Sequence, residues 1–167
     1  MKSIVYLSLD LGKTRLQFSK ISDQGFQHLS QALIQMKNVT NLKLGLADTF
    51  DSDNGFYYIS NALKELNNVT QLSLDLSSIN IGENSVWYIC KALVEMKNLT
   101  HLKLILGENN LNYQAIQYII IALKEMQNVC KLYIDMNSCK INYQKAQQIC
   151  QAIVCMKNLS YLTLHFE

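Results

Sequence analysis

The sequence predicts an α/β solenoid, a curved stack of strand–helix units with a parallel β-sheet of about six strands on the concave side and about five α-helices on the convex side. Three observations predict it. Asparagine recurs at positions 38, 68, 98, 128 and 158, a 30-residue period held through five units. In each unit an apolar/polar alternation of period two is followed by an apolar stripe spaced three and four apart. The chain has no proline, no Gly/Ser linker and no charge block to mark a boundary, so residues 1–167 read as a single domain. A fixed period of this length marks an array in which each unit is one supersecondary element that cannot bury its apolar side alone.

The strands follow the asparagines. Residues 36–46 read MKNVTNLKLGL, 66–76 LNNVTQLSLDL, 96–106 MKNLTHLKLIL, 126–136 MQNVCKLYIDM and 156–166 MKNLSYLTLHF. In the first of these Leu42, Leu44 and Leu46 alternate with Lys43 and Gly45, the pattern of a strand with one buried face. Leu72/Leu74/Leu76, Leu102/Leu104/Leu106, Leu132/Ile134/Met136 and Leu162/Leu164/Phe166 repeat it, and Leu7, Leu9 and Leu11 supply a sixth strand at the N-terminal end.

After each strand and a polar stretch the period changes. Phe56, Ile59, Leu63 and Leu66 form the stripe of an amphipathic helix, as do Val86, Ile89, Leu93 and Met96 one unit later. Ser22, Ser52, Asn112 and Asn142 share the column before the helices, where a side-chain oxygen can cap free amides; Gly82 fills it in the odd unit. The asparagine column is expected to close each helix in the left-handed conformation. Alanine at 32, 62, 92, 122 and 152 is expected to allow neighbouring helices to approach closely. Parallel strands joined by helical crossovers sit about 4.8 Å apart whereas helices need about 10 Å, which forces the sheet inside the curve.

This pattern resembles the leucine-rich repeat family in its intracellular, ribonuclease-inhibitor-like form, whose core reads LxxLxLxxN, then an apolar residue, then a helix. Val69, Leu72, Leu74, Ser77 and Ile79 match it, and Leu99, Leu102, Leu104, Gly107 and Leu111 match more loosely. The resemblance spans residues from about 4 to 167. It implies a horseshoe and, by the family's common property, protein binding. The family's turn asparagine falls by this alignment at Ala47, Ser77, Gly107 and Asn137, so no regular asparagine ladder is expected there. The loops 47–54, 77–84, 107–114 and 137–144 are expected to be looser than the family's. Leu7 lies 35 residues before Leu42, and the excess falls in the basic stretch 12–20, with Lys13, Arg15 and Lys20.

The totals narrow the function. A formal charge of +2, from 15 basic and 13 acidic residues, is too balanced for electrostatic binding of nucleic acid or an anionic membrane. No apolar run reaches the roughly 18 residues of a membrane span, and the N-terminal stretch alternates like a strand rather than reading as a signal peptide. The five cysteines, at 90, 130, 139, 150 and 155, are odd in number and lack CxxC. They read as small half-buried residues in a reducing, intracellular, cytoplasmic setting. Four Asn-x-Ser/Thr triplets, at Asn38, Asn68, Asn98 and Asn158, belong to the repeated helix-to-strand turn and are read as structure rather than as glycosylation sites.

No enzyme signature emerges. His101 and His165 are two strands apart and in different rows, and neither pairs by spacing with a cysteine or serine. There is no HExxH, phosphate loop, GxSxG or metal-ligand spacing, so no catalytic residue, metal or cofactor is expected. Asp75 and Asp135 share a row about 10 Å apart, too far for a carboxylate pair.

The informative positions are the outward ones of the strands. One row reads Tyr6, Asn41, Gln71, His101, Lys131, Tyr161; the next Ser8, Lys43, Ser73, Lys103, Tyr133, Thr163; the third Asp10, Gly45, Asp75, Ile105, Asp135, His165. These columns vary while the leucines beside them do not, and a variable surface on a rigid frame is how repeat arrays specify partners. Lys103, Ile105, Lys131, Tyr133, Asp135 and Tyr161 cluster on the last three strands with the composition of interface anchors, and form the expected partner-binding site for another protein. On the helices, Tyr58, Tyr88 and Tyr118 share a column read as interunit stacking, and Trp87 and Ile121 stand where their columns are otherwise largely polar.

No capping unit covers either terminal strand. Three readings follow: the chain is a fragment of a longer protein, which is favoured; it associates through its edge strands; or it tolerates open edges. The second makes the alternative function, a structural component of an assembly held through edge strands and convex helices.

Overall fold

The computed structural model describes residues 4–12, 21–49 and 52–167. Strands β1 (Tyr6–Asp10), β2 (Asn41–Gly45), β3 (Gln71–Asp75), β4 (His101–Ile105), β5 (Lys131–Asp135) and β6 (Tyr161–His165) alternate with helices α1 (Asp23–Gln35), α2 (Asp53–Glu65), α3 (Glu83–Glu95), α4 (Tyr113–Glu125) and α5 (Tyr143–Val154). All six strands pair in parallel in sequence order. The register aligns Leu42 with Leu72 and Leu72 with Leu102, so the 30-residue period becomes a lateral step of one strand. The basic stretch at 13–20 lies outside the described residues.

The core lies between sheet and helices. Leu44, Leu74 and Ile134 from the sheet and Phe56, Ile59, Leu63 and Ile116 from the helices are fully buried. The inward side of each strand is therefore apolar because it faces a helix, while no helix lies over the outward side among the described residues.

Helix starts follow the expected column. Ser22, Ser52, Asn112 and Asn142 each accept a backbone N–H three residues on, whereas Gly82 caps without a side chain. The helix ends differ from expectation. None of the asparagine column has positive φ; that conformation falls instead just after the strands, at Asp48, Ser78, Glu108 and Ser138, with Asn80 and Lys140 beside it. The asparagine side chains act between units. Asn68, Asn98, Asn128 and Asn158 each donate to a backbone carbonyl 31 residues earlier at 2.7 Å. Two residues on, the hydroxyls of Thr100 and Ser160 donate to the carbonyls of Thr70 and Cys130 at 3.0 Å. The Asn-x-Ser/Thr triplets at Asn68, Asn98 and Asn158 thus each supply two interunit rungs.

The turn asparagine also moves. Its role falls two residues later than the alignment placed it, because each strand carries one further apolar residue, such as Leu106, before the turn. Asn109 is buried, donates to the carbonyls of Leu76 and Leu106 at 2.7 and 2.8 Å, and accepts from the Ile81 amide at 3.0 Å. Cys139 takes the next unit's place, its thiol 3.0 Å from the Leu106 carbonyl, and Thr49 bonds the Leu46 carbonyl at 2.5 Å. The ladder is irregular, as expected. The turns are nonetheless joined to one another: the amides of Asp48, Ser78 and Glu108 each donate to the carbonyl of the next unit's turn. At the N-terminal rim Gly12 passes so close that a β-carbon would lie 2.3 Å from the Ala47 carbonyl oxygen, so only glycine fits.

The terminal units depart from their columns. Ala62, Ala92, Ala122 and Ala152 are buried, but Ala32 is exposed because no helix lies on its outer side among the described residues. Cys90 is buried and Cys150, two units on, is exposed for the same reason at the other end.

Candidate functional site: the concave sheet face

Parallel pairing in unbroken register sets the outward side chains in the three rows read from the sequence, Tyr6 beside Asn41, Lys103 beside Tyr133 and Asp135 beside His165. Curvature of the sheet brings the first two rows round a shallow groove of about 300 Å³ that runs from Tyr6 across Lys43, Ser73, Lys103 and Tyr133 to Tyr161.

Of the six predicted residues, Lys103, Lys131, Tyr133 and Tyr161 line this groove, and Ile105 and Asp135 stand outside it in the third row. Tyr133 is the hub. The Lys103 ammonium lies 4.6 Å from the centre of its ring, the His165 ring is 5.3 Å away, and its hydroxyl approaches the Asp135 carboxylate at 3.5 Å. Desolvation, then the Asp135 charge and hydrogen bond, raise the Tyr133 phenol above its ordinary value of 10. Sequence reasoning passed over Lys43 and Tyr6, which border the same groove. Both stood in the right rows, and only the curvature shows that strands β1 and β2 share a groove with β5 and β6.

The third-row acids serve the turns. Asp10, Asp75 and Asp135 each accept the backbone N–H two residues on, at 3.2, 3.1 and 3.0 Å, and Asp75 also accepts the Ser77 hydroxyl at 2.7 Å. Among the described residues no cluster of three His, Cys, Asp or Glu side chains could hold a metal ion, and no helix is long and apolar enough to cross a membrane.

On the convex side the aromatic contacts cross the columns. Tyr57 meets both Tyr58 and Tyr88, at 5.8 and 5.4 Å between ring centres, and Tyr88 meets Trp87 at 5.1 Å. The expected Tyr58–Tyr88–Tyr118 stack is replaced by this zigzag, because neighbouring helices offset their facing side chains. Trp87, 39% exposed, and Ile121, 50% exposed, flank a second groove of about 380 Å³ between α3 and α4.

Six parallel strands in sequence order, five convex helices and the interunit ladders define a leucine-rich-repeat solenoid. No family model matches the chain, and no curated protein matches its sequence. Solved structures do match, among them leiomodin-1 actin-binding site 2 (ABS2), at 19% sequence identity and a TM-score of 0.64, covering 91% of this chain and 80% of that one. At that identity the likeness is one of fold.

Proposed function

We propose that the chain is a non-catalytic protein-interaction module of the intracellular, ribonuclease-inhibitor-like type, which takes a partner protein on its concave sheet. The observation that carries this reading is the Lys103–Tyr133–His165/Asp135 cluster, set on a face whose outward columns vary over a frame that repeats. Lys103, Lys131, Tyr133 and Tyr161 would make the central contacts, with Ile105 and Asp135 on the bordering row. A half-buried tyrosine held between a cation and an imidazole is a preorganised anchor of the kind that carries binding energy in interfaces. One solved structure with this fold, leiomodin-1 actin-binding site 2, is by its name a site that binds a protein, which agrees with the reading.

The test is affinity capture from native extract with wild type and a Lys103→Ala/Tyr133→Ala variant of equal stability. A partner held by the wild type and lost by the variant supports the concave site. Equal retention removes it.

A second reading, a component of an assembly, is favoured by the apolar side chains exposed at the two outer strands of the sheet among the described residues. Ile4 and Val5 are 52% and 51% exposed beside β1, and Leu162 and Val154 are 42% and 85% exposed on β6 and α5. An outer strand without a paired neighbour is a ready template for pairing. Light scattering separates the readings: a monomer at high concentration counts against edge-driven assembly.

A further inference from the structure

We propose that the concave groove accepts an extended acidic segment of the partner, laid across the strands over the first two outward rows; this rests on the concave-face reading above. The two rows hold Lys43, Lys103 and Lys131 and not one carboxylate. The third row, about 7 Å further along the strands, holds Asp10, Asp75 and Asp135 and no lysine or arginine. The face is divided into a cationic and an anionic band.

The two bands are not equivalent. The carboxylates have work within the fold, since each caps the turn that follows its strand. The lysines form no ion pair within the fold among the described residues. Lys43 and Lys131 are exposed and form no ion pair among the described residues, whose two ion pairs are Lys37–Glu65 and Lys64–Glu95. Lys103 lies over the Tyr133 ring. Lysine is disfavoured in strands, so three on one sheet face without a carboxylate partner among the described residues call for an external one.

The spacing sets the form of the segment. Lys43 on β2 and Lys131 on β5 lie three strands apart, roughly 15 Å. An extended chain puts same-side residues about 6.6 Å apart, so acids at alternate positions match that span. The carboxylate row repels a polyanion that spreads over the whole face, which disfavours a nucleic-acid strand and confines the acids to one band.

The probe is a fluorescein-labelled peptide with glutamate at three alternate positions, read by anisotropy at low salt beside its lysine counterpart and a labelled oligothymidylate. Four proteins are compared: wild type, Lys43→Ala/Lys103→Ala/Lys131→Ala, the control Lys97→Ala/Lys124→Ala/Lys157→Ala, at a helix end and in two helix-to-strand turns, with the same change in net charge, and Ser73→Trp, which fills the groove floor. Circular dichroism confirms that each is folded. The glutamate peptide is expected to bind wild type in preference to the other probes. Its affinity should fall about tenfold or more in the concave triple variant and in Ser73→Trp, and less than about twofold in the control. Equal loss in the control, absence of binding to wild type, or tighter binding of the oligothymidylate overturns the proposal. Loss with Ser73→Trp alone overturns acid recognition while leaving the concave surface standing. Indifference to both concave changes removes the two together.

Discussion

Asn98 donates its side-chain amide to the backbone carbonyl of Asn67 at 2.7 Å, across the boundary between neighbouring units. The carbonyl lies just beyond the end of α2, where helices leave acceptors unsatisfied, and the next unit's asparagine satisfies it. The rung recurs at Asn68, Asn128 and Asn158. Asn98→Ala should cost about 1 kcal/mol, and Asn98→Asp more, because a carboxylate would then face the carbonyl. Asn38 has no such partner among the described residues, so Asn38→Ala should be close to neutral. Urea midpoints at unchanged m-value measure both. Equal costs at the two positions would refute the interunit role.

Asn109 predicts a larger effect. It is 1% exposed and bridges three backbone groups of two units. Asn109→Ala strands the Ile81 amide and the Leu76 carbonyl in the interior, at a cost of about 2–4 kcal/mol. Asn109→Cys keeps a donor toward Leu76, as Cys139 does toward Leu106, and should recover part of the loss. Thermal melts of the two variants decide it; equal melting would mean that the side chain's bonds contribute little.

These two residues mark where the sequence stops being legible. The strands were readable because alternation assigns each residue to a face, and the rows because a constant period makes the register a translation. The caps at Ser22, Ser52, Asn112 and Asn142 were readable because capping is local. The interunit bonds of Asn98 and Asn109 were not, since their acceptors lie about a full repeat away and no local rule names them. The site divides in the same way. Lys103 and Tyr133 follow from the rows, whereas the inclusion of Lys43 and Tyr6 depends on curvature, and the Tyr57–Tyr88 contact depends on how far each helix is rotated.

The alanine column tests the packing of the helices. Ala92 is fully buried between α2 and α4, so Ala92→Leu should overpack and cost about 1–3 kcal/mol. Ala32 occupies the same column but is exposed, and Ala32→Leu should change stability by less than about 0.5 kcal/mol. A melting temperature unmoved by Ala92→Leu would show that the column tolerates bulk and that its alanines have another cause.

Asp23 gives a prediction in pH. Its carboxylate accepts from the Ser52 hydroxyl and from the Asn54 amide, tying the first turn of α1 to the start of α2. The Ser52 bond and then the Asn54 bond hold its pKa below the ordinary 3.8, against a smaller opposing effect of desolvation. A depressed folded-state value means that the ionised form is favoured by folding, so the contribution is present above the unfolded value and is lost as pH falls through the folded one. Wild type should therefore exceed Asp23→Asn in stability at neutral pH, and the difference should shrink between about pH 5 and pH 2. Because the group is partly solvent-exposed, the effect should also weaken in high salt. Urea titrations of the two proteins at stepped pH measure the difference directly. A gap that persists unchanged into acid would mean that Asp23 acts through geometry, with its charge contributing nothing.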